Sequence, residues 1–366
     1  MYLHELHLLN FKNYAEANLR FSPAVNVLVG KNGSGKTNLL DAIYSLSFTK
    51  SAFASSDTQC VLTGENYFMV KGKFFKQDKP YELLSSVQAG SKKVFREEGS
   101  DYPKLSDHIG KYPVILIAPD DVDLVRESSE SRRKFFDSII SQLDKKYLEA
   151  LMQYNQALKQ RNSLLRMFHE RGTPDWLALE SYDRILIRLG QQIFQQRIAF
   201  AEEFLPVFRK YYKFIVDDAE VTDLKYASEL KEKSYEEGLV KNRQKDLALQ
   251  RTSFGIHRDD YVFTLGDGDL KRLGSQGQQK SFVIALKLAQ FEIIEKIKGF
   301  KPILLLDDIF DKLDDFRIAR LLTLVKNDLG QLFITDARPD RTGELLKSIE
   351  VSASLFKVEG GTILQQ

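Results

Sequence analysis

At 366 residues, with 43% apolar and 28% charged side chains, the chain has a globular composition and is long enough for one large domain or two ordinary ones. A formal charge of +2 offers no bulk attraction to a polyanion, so any such surface has to come from local clustering. The single cysteine, Cys60, excludes an intrachain disulfide and is read as a small buried hydrophobe. No apolar run nears the roughly 20 residues of a membrane span and the N-terminus has no signal core, so a cytoplasmic protein without a membrane partner is expected.

Tyr2 to Leu8 alternates apolar and polar residues, as a half-buried strand does. Val25 to Val29 is a short, mainly apolar run that ends at Gly30, the pattern of a buried strand feeding a glycine-rich turn. From Thr37 to Leu46 the residues Leu39, Leu40, Ile43 and Leu46 fall at helical spacing. Residues 60 to 118 hold short β-like runs at Tyr67–Val70, Tyr81–Val87 and Val114–Ala118, separated by turn-rich pieces such as Gly99–Pro103, and predict a β-rich lobe.

The character changes after Pro119. From Ser131 to about Val216 there are two prolines, Pro174 and Pro206, within long helical patterns. Leu148, Leu151, Asn155, Leu158, Asn162 and Leu165 predict a short coiled-coil seam with two polar interruptions. Glu170–Asp175 is a loop signal, and Tyr182, Leu186, Leu189 and Ile193 mark the face of a second helix, so the pair predicts an antiparallel helical hairpin. Residues 217–250 are charged and mix loop and helix signals. Strand and turn signals return near Thr252, followed by a helix at Ser281–Ile297, strands at Ile303–Leu306 and Gln331–Thr335, and a closing hairpin of Ser354–Val358 and Thr362–Leu364. The whole predicts an α/β domain made of residues 1–120 and 251–366, split by a helical insertion at 121–250.

The chemistry concentrates at two remote places. Gly30-Lys31-Asn32-Gly33-Ser34-Gly35-Lys36-Thr37 fits the phosphate-loop pattern of G, four residues, then G-K-T. Phosphates need several backbone N–H groups aimed at one point, and glycines let the chain curl that tightly. The following helix adds its positive end; Lys36 is expected to reach the β and γ phosphates and Thr37 to offer its hydroxyl to Mg²⁺. About 270 residues later the apolar strand Ile303–Leu306 ends in Asp307-Asp308. Asp307 is placed to hold Mg²⁺ and Asp308 to act as general base toward water. Both halves have to meet in space around ATP.

Leu273-Gly274-Ser275-Gln276-Gly277-Gln278-Gln279-Lys280 resembles the signature of ABC-type ATPases. The resemblance implies that Ser275, Gly277 and Gln278 complete the nucleotide site of a second protomer, and hence an ATP-dependent homodimer. Asp311-Lys312-Leu313-Asp314 stands at the position of that class's D-loop. Thr335-Asp336 lacks the switch histidine of ABC transporters, and Asp308 replaces their glutamate; both departures argue against a transporter subunit. The order of motifs is similar to the SMC/Rad50 group, with an insertion too short for their long arms.

A narrower resemblance, to the bacterial RecF family, spans essentially the whole chain. It is carried by Leu9–Tyr14, Gly30–Thr37, Ala118–Asp121, Ser131–Asp137, Tyr154-Asn155 through Gln160–Asn162, Gly255–Asp260, Ser275–Gln279 and Asp307–Phe310. It implies an ABC-type (SMC/Rad50-like) head with a β-rich lobe and an inserted helical domain, and a weak, DNA-stimulated ATPase acting as a switch. It also implies ATP-dependent binding of double-stranded DNA and single-/double-strand junctions, and work with RecR and RecO in helping RecA load. The family's Q-loop would fall near Pro119-Asp120-Asp121, where no glutamine stands, with Gln59 as another candidate. Other readings are an ABC-type ATPase of a different nucleic-acid-processing or transport system. A fused nuclease would need a carboxylate or histidine metal cluster, and the five histidines are scattered.

Between Ser131 and Arg171 nine basic residues stand against four acidic ones, in a chain whose total is +2. Such a helical face could neutralise phosphates without reading sequence. Arg132 and Arg133 could equally be structural ties to Asp137 or Asp121.

Overall fold

The computed structural model describes residues 1–216, 221–309, 315–326, 329–338 and 351–365. In chain order these form β1 (Tyr2–Phe11), β2 (Tyr14–Arg20), β3 (Val25–Val29), α1 (Lys36–Phe48), β4 (Tyr67–Lys76), β5 (Lys79–Gln88), β6 (Val94–Glu97), β7 (Ser100–Asp101) and β8 (Val114–Ile117). Next come α2 (Asp123–Arg126), α3 (Ser129–Leu143), α4 (Lys145–Arg171), α5 (Trp176–Val216), β9 (Thr222–Ala227), α6 (Tyr235–Leu249), β10 (Asp260–Leu265), β11 (Gly268–Asp269), α7 (Leu270–Leu273) and α8 (Gln276–Lys298). The described chain closes with β12 (Ile303–Leu306), α9 (Asp315–Lys326), β13 (Leu332–Asp336), β14 (Ala353–Glu359) and β15 (Thr362–Gln365).

The chain divides into two compact units: Met1–Val122 with Tyr211–Asp218 and Lys280–Gln366, and Asp123–Lys210 with Ala219–Gln279. The first is built on two six-stranded sheets. One has the order β15-β14-β3-β13-β12-β8, with every neighbouring pair parallel except the β14–β15 hairpin. Its strands β3, β8, β12 and β13 are buried at every position, which is why they read as short, mainly apolar runs. The other sheet is antiparallel in the order β2-β1-β4-β5-β6-β7. Helix α1 is buried against both: Leu39, Leu40, Ile43 and Leu46 share one core with Leu6, Leu8, Val70 and Phe74 of the antiparallel sheet and Leu28, Leu305 and Phe333 of the parallel one. A helix covered on both sides cannot swing, and this fixes the loop that precedes it.

Val114–Ala118, grouped with the β-rich lobe on sequence, belongs elsewhere. Its strand pairs in parallel with β12, Val114 opposite Ile303 and Ile117 opposite Leu306. A short, wholly buried run carries no periodicity that could assign it to one sheet or the other.

The second unit joins the helical hairpin to a small antiparallel sheet, β11-β10-β9. Gly172, at φ 68°, ends α4, and α5 begins four residues later. The seam of α4 shares only Leu165 with the leucine–asparagine stripe expected from spacing. Its buried positions are Tyr147, Ala150, Tyr154, Ala157, Arg161, Leu165 and Phe168, the next face round the helix. The reason is electrostatic. Arg161 is wholly buried, and its guanidinium donates to Asp183 of α5 at 2.6 Å, to Asp246 of α6 at 2.8 Å and to Thr252 at 2.9 Å. Arg197 is nearly as buried and donates to both carboxylate oxygens of Asp137, at 2.9 and 2.8 Å, and to the Ile256 carbonyl. Apolar periodicity cannot see a core built around paired charges.

The unit boundaries also differ from 121–250. Residues 251–279 group with the helices because β10 pairs along its length with β9, Asp260 opposite Ala227 and Leu265 opposite Thr222.

Candidate nucleotide-binding site

The loop Gly30–Gly35 runs from the carboxyl end of β3 to the first turn of α1. Gly33 (φ 77°) and Gly35 (φ 117°) take left-handed conformations that side chains disfavour. Gly30 is required for a different reason: a Cβ there would lie 2.2 Å from the Val358 carbonyl oxygen of β14. The Lys36 side chain is buried and its Nζ donates to the carbonyls of Gly30, 2.8 Å, and Lys31, 3.2 Å, folding the amine across the loop. The Ser34 hydroxyl is buried in the same loop without a hydrogen-bond partner among the described residues. A buried donor with nothing to bind, a lysine ammonium and curled backbone amides together make a donor set suited to phosphate oxygens.

Two residues that sequence reasoning left without a role hold this loop. Tyr14 donates its hydroxyl to the Gly35 carbonyl at 2.9 Å, and Asn13 donates its amide to the Ser34 carbonyl at 3.1 Å while accepting from Asn38 at 2.7 Å. Both lie at the β1–β2 turn, so the antiparallel sheet braces the loop. Lys12, beside them, ion-pairs at 2.6 Å with the wholly buried Asp41 of α1, which also accepts from Ser51 and the Ala52 amide. The signal was present as an Asn-Phe-Lys-Asn-Tyr run, but its partners could be identified only in three dimensions.

Asp307 and Asp308 follow β12. The Thr37 hydroxyl donates toward Asp307, 3.0 Å from each carboxylate oxygen, so the two remote halves are in direct contact. Burial raises the Asp307 carboxyl above the usual carboxylate range, opposed by hydrogen bonds from Thr335 and Thr37. A threonine hydroxyl and a carboxylate at that separation are a fitting oxygen pair for Mg²⁺. Asp308 is half-buried with φ 43°, and its backbone N–H donates to the Thr335 hydroxyl at 2.8 Å.

The signature residues lie in the second unit. Helix α8 begins at Gln276, five residues before the Ser281 expected from spacing, because Ser275 caps it. The Ser275 hydroxyl accepts from the Gln278 amide at 3.3 Å, and the Gln278 side chain accepts from the Ser275 amide at 2.7 Å. Gly277 falls inside the first turn. Gln279 is buried, accepting from Arg126 at 3.0 Å and donating to the Lys271 and Gly274 carbonyls. The D-loop stretch Asp311–Asp314 lies outside the described residues.

Of the Q-loop candidates, Gln59 is exposed and accepts from Ser55 within its own loop, while Asp121 ion-pairs with Lys287 at 2.7 Å. The basic stretch is narrower than its count suggested. Arg161 is internal, Arg132 forms two bonds to Asp260 at 2.8 and 2.9 Å, and Arg133 donates to the Asp259 carbonyl and to Ser129. Neither of the last two meets Asp137 or Asp121. Lys134, Lys145, Lys146, Lys159, Arg166 and Arg171 remain exposed, Lys134 in an ion pair with Glu130. Among the described residues no group of three or more His, Cys, Asp or Glu side chains is gathered to hold a metal ion, and no helix is long and apolar enough to cross a membrane.

The family model described as the RecF/RecN/SMC N terminal domain matches residues 2–102. The chain is 44% identical to the DNA replication and repair protein RecF of Cytophaga hutchinsonii, covering 100% of this chain and 97% of that protein. It is 46% identical to the RecF of Flavobacterium johnsoniae, covering 98% and 100%. A solved structure of the recombination mediator protein RecF with ATP, from the RecFOR pathway, superposes with a TM-score of 0.90 at 30% identity, covering 100% of this chain and 97% of that one. The Smc head domain of Pyrococcus furiosus, at 19% identity and a TM-score of 0.56, shares the fold, that of an ABC-type ATPase head.

Proposed function

The chain belongs to the RecF family of DNA replication and repair proteins, and from that membership we propose that it is an ATP-driven switch on duplex DNA. The observation that carries the reading is the meeting of Thr37 with Asp307 beside a loop whose Lys36 and Ser34 are set for phosphate oxygens. Lys36 and the loop amides would hold the β and γ phosphates, Thr37 and Asp307 would hold Mg²⁺, and Asp308 would accept the proton of the attacking water. The metal ion would supply neutralising charge on the phosphate oxygens.

Ser275, Gly277 and Gln278 would face the nucleotide of a second copy, so that ATP favours a homodimer and hydrolysis releases it. Duplex DNA near single-strand gaps is the polyanion such a dimer would hold, with Lys146, Lys159, Arg166 and Arg171 as the exposed cations of the hairpin nearest to hand. RecR and RecO would act with it in loading RecA. The solved relatives, one described with ATP and one with ATPrS, and their place in the RecFOR pathway support this reading.

A Lys36→Arg variant tests it. Arg keeps the charge but changes the donor geometry at a tight site. Nucleotide binding should survive while duplex-stimulated ATP hydrolysis disappears. A variant that hydrolyses like the parent, or a parent whose hydrolysis ignores duplex DNA, contradicts the reading; the length of the DNA after the assay should be unchanged throughout.

A further inference from the structure

Strand β13 lies between β3 and β12 in the parallel sheet, so its carboxyl end opens between the phosphate loop and the acidic pair. The penultimate residue of the strand is Thr335, which is wholly buried. Its hydroxyl lies 2.8 Å from Asp307 Oδ1, 3.3 Å from Asp308 Oδ1 and 2.8 Å from the Asp308 amide nitrogen. A hydroxyl has one hydrogen and two lone pairs. The amide must donate, so the oxygen accepts from Asp308 N–H, and the single hydrogen goes to the nearer carboxylate, that of Asp307. Thr335 therefore ties both acidic residues at once, one by its side chain and the other by its backbone.

The backbone tie carries strain. Asp308 has φ 43°, a left-handed conformation that costs a non-glycine residue on the order of 1 kcal/mol or more and persists only where neighbours hold it. The bond from Asp308 N–H to Thr335 is such a hold, and it aims the Asp308 carboxylate. The side-chain tie matters for another reason. Among the described residues the Asp307 carboxylate accepts from Thr37 and Thr335 alone. A Thr37 hydroxyl can turn a lone pair to a cation and still donate its one hydrogen to Asp307. Thr335 is the second donor, and the one that orients that carboxylate without itself being asked to hold the cation.

We propose that Thr335 is a positioning residue, whose one hydroxyl orients the cation-holding carboxylate of Asp307 and pins the backbone of Asp308. Binding of the divalent ion and aiming of the hydrolytic carboxylate are thus set by the same group. The inference rests on the nucleotide-site reading above and adds to it a residue outside the phosphate loop and the acidic pair. It explains why a hydroxyl is needed at the end of β13, where apolar packing alone would favour valine.

The test compares Thr335→Val, which keeps the shape and removes the hydroxyl, with Thr335→Ser, which keeps the hydroxyl. Binding of a fluorescent ATP analogue is titrated in EDTA and against increasing Mg²⁺, beside steady-state hydrolysis. In Thr335→Val, binding in EDTA should match the parent. The half-saturating Mg²⁺ concentration should rise on the order of tenfold, and kcat should fall by a similar factor with KM nearly unchanged. Thr335→Ser should restore both. A role in packing alone would lower thermal stability and weaken binding with and without Mg²⁺ alike, and would overturn the proposal. So would a parental Mg²⁺ requirement and kcat in Thr335→Val. Should that variant not fold, Thr335→Ala takes its place with the same expected shift. A parent protein that binds no nucleotide at all would instead remove the reading beneath.

Discussion

The Thr37 hydroxyl lies 3.0 Å from each carboxylate oxygen of Asp307, a contact between residues 270 positions apart. It joins the first turn of α1 to the end of β12, across β13. Removing the charge at Asp307 should leave the loop's hold on phosphate intact and take away the part of the affinity that depends on a divalent ion. Asp307→Asn is expected to bind nucleotide in EDTA like the parent, to gain little when Mg²⁺ is added, and to lose hydrolysis at least a hundredfold. Calorimetric titration of nucleotide with and without Mg²⁺ checks this.

Tyr14 braces the loop from outside. Tyr14→Phe removes one hydrogen bond to the Gly35 carbonyl and should cost about 1 kcal/mol of stability. Nucleotide binding should weaken a few-fold with no change in its Mg²⁺ dependence. Gly35→Ala is the harsher change, because its Cβ would come within 2.5 Å of the Asn13 side chain at a φ of 117°. Nucleotide binding should be lost, as read by equilibrium dialysis.

The Arg161 cluster predicts a stability effect of a different size. Arg161→Leu leaves Asp183 and Asp246 without their buried cation. A broken buried pair typically costs about 3–5 kcal/mol, against less than about 1 kcal/mol for a surface pair such as Lys134–Glu130. Urea unfolding of Arg161→Leu beside Lys134→Ala should show that contrast. Equal, small effects would mean that the cluster does not organise the hairpin.

Burial lowers the pKa of His108 to about 4, and that of His257 to about 4. An unfolded histidine titrates near about 6.5, so between the two values the unfolded chain binds protons that the folded one refuses. Stability contributed by these groups is therefore present above pH 6.5 and lost as pH falls toward 4. Asp259 works the other way: burial raises it to about 6, so folding gains as pH falls through that value. The thermal midpoint should drop from pH 7 to pH 4.5, and His108→Gln should start lower but fall less steeply. Parallel slopes would contradict the assignment to His108.

Much of the site was legible because phosphate chemistry constrains sequence locally. Gly30–Thr37 has to be contiguous to curl its amides inward, and Asp307-Asp308 has to follow an apolar strand. Strands β3 and β12 were readable at their full length for a related reason, since wholly buried strands are mostly apolar; Asn26, the polar exception in β3, is buried with its amide bonded to the Ser22 backbone. What escaped the sequence depends on pairing across space. Thr335 stands out in the sequence only as a place where a switch histidine is missing; its tie to Asp307 and Asp308 appears once β13 is inserted between β3 and β12. Arg161 and Arg197 look like solvent-facing cations until Asp183, Asp246 and Asp137 are brought to them. The same burial removed Arg161 from the basic face that its position on the helix suggested.

Sedimentation velocity of the protein with a labelled duplex, in the presence and absence of ATP and Mg²⁺, tests the central claim most directly. The account predicts that dimer and duplex-bound fractions rise together when ATP and Mg²⁺ are added. A monomer under both conditions, holding the duplex equally well in each, would contradict it.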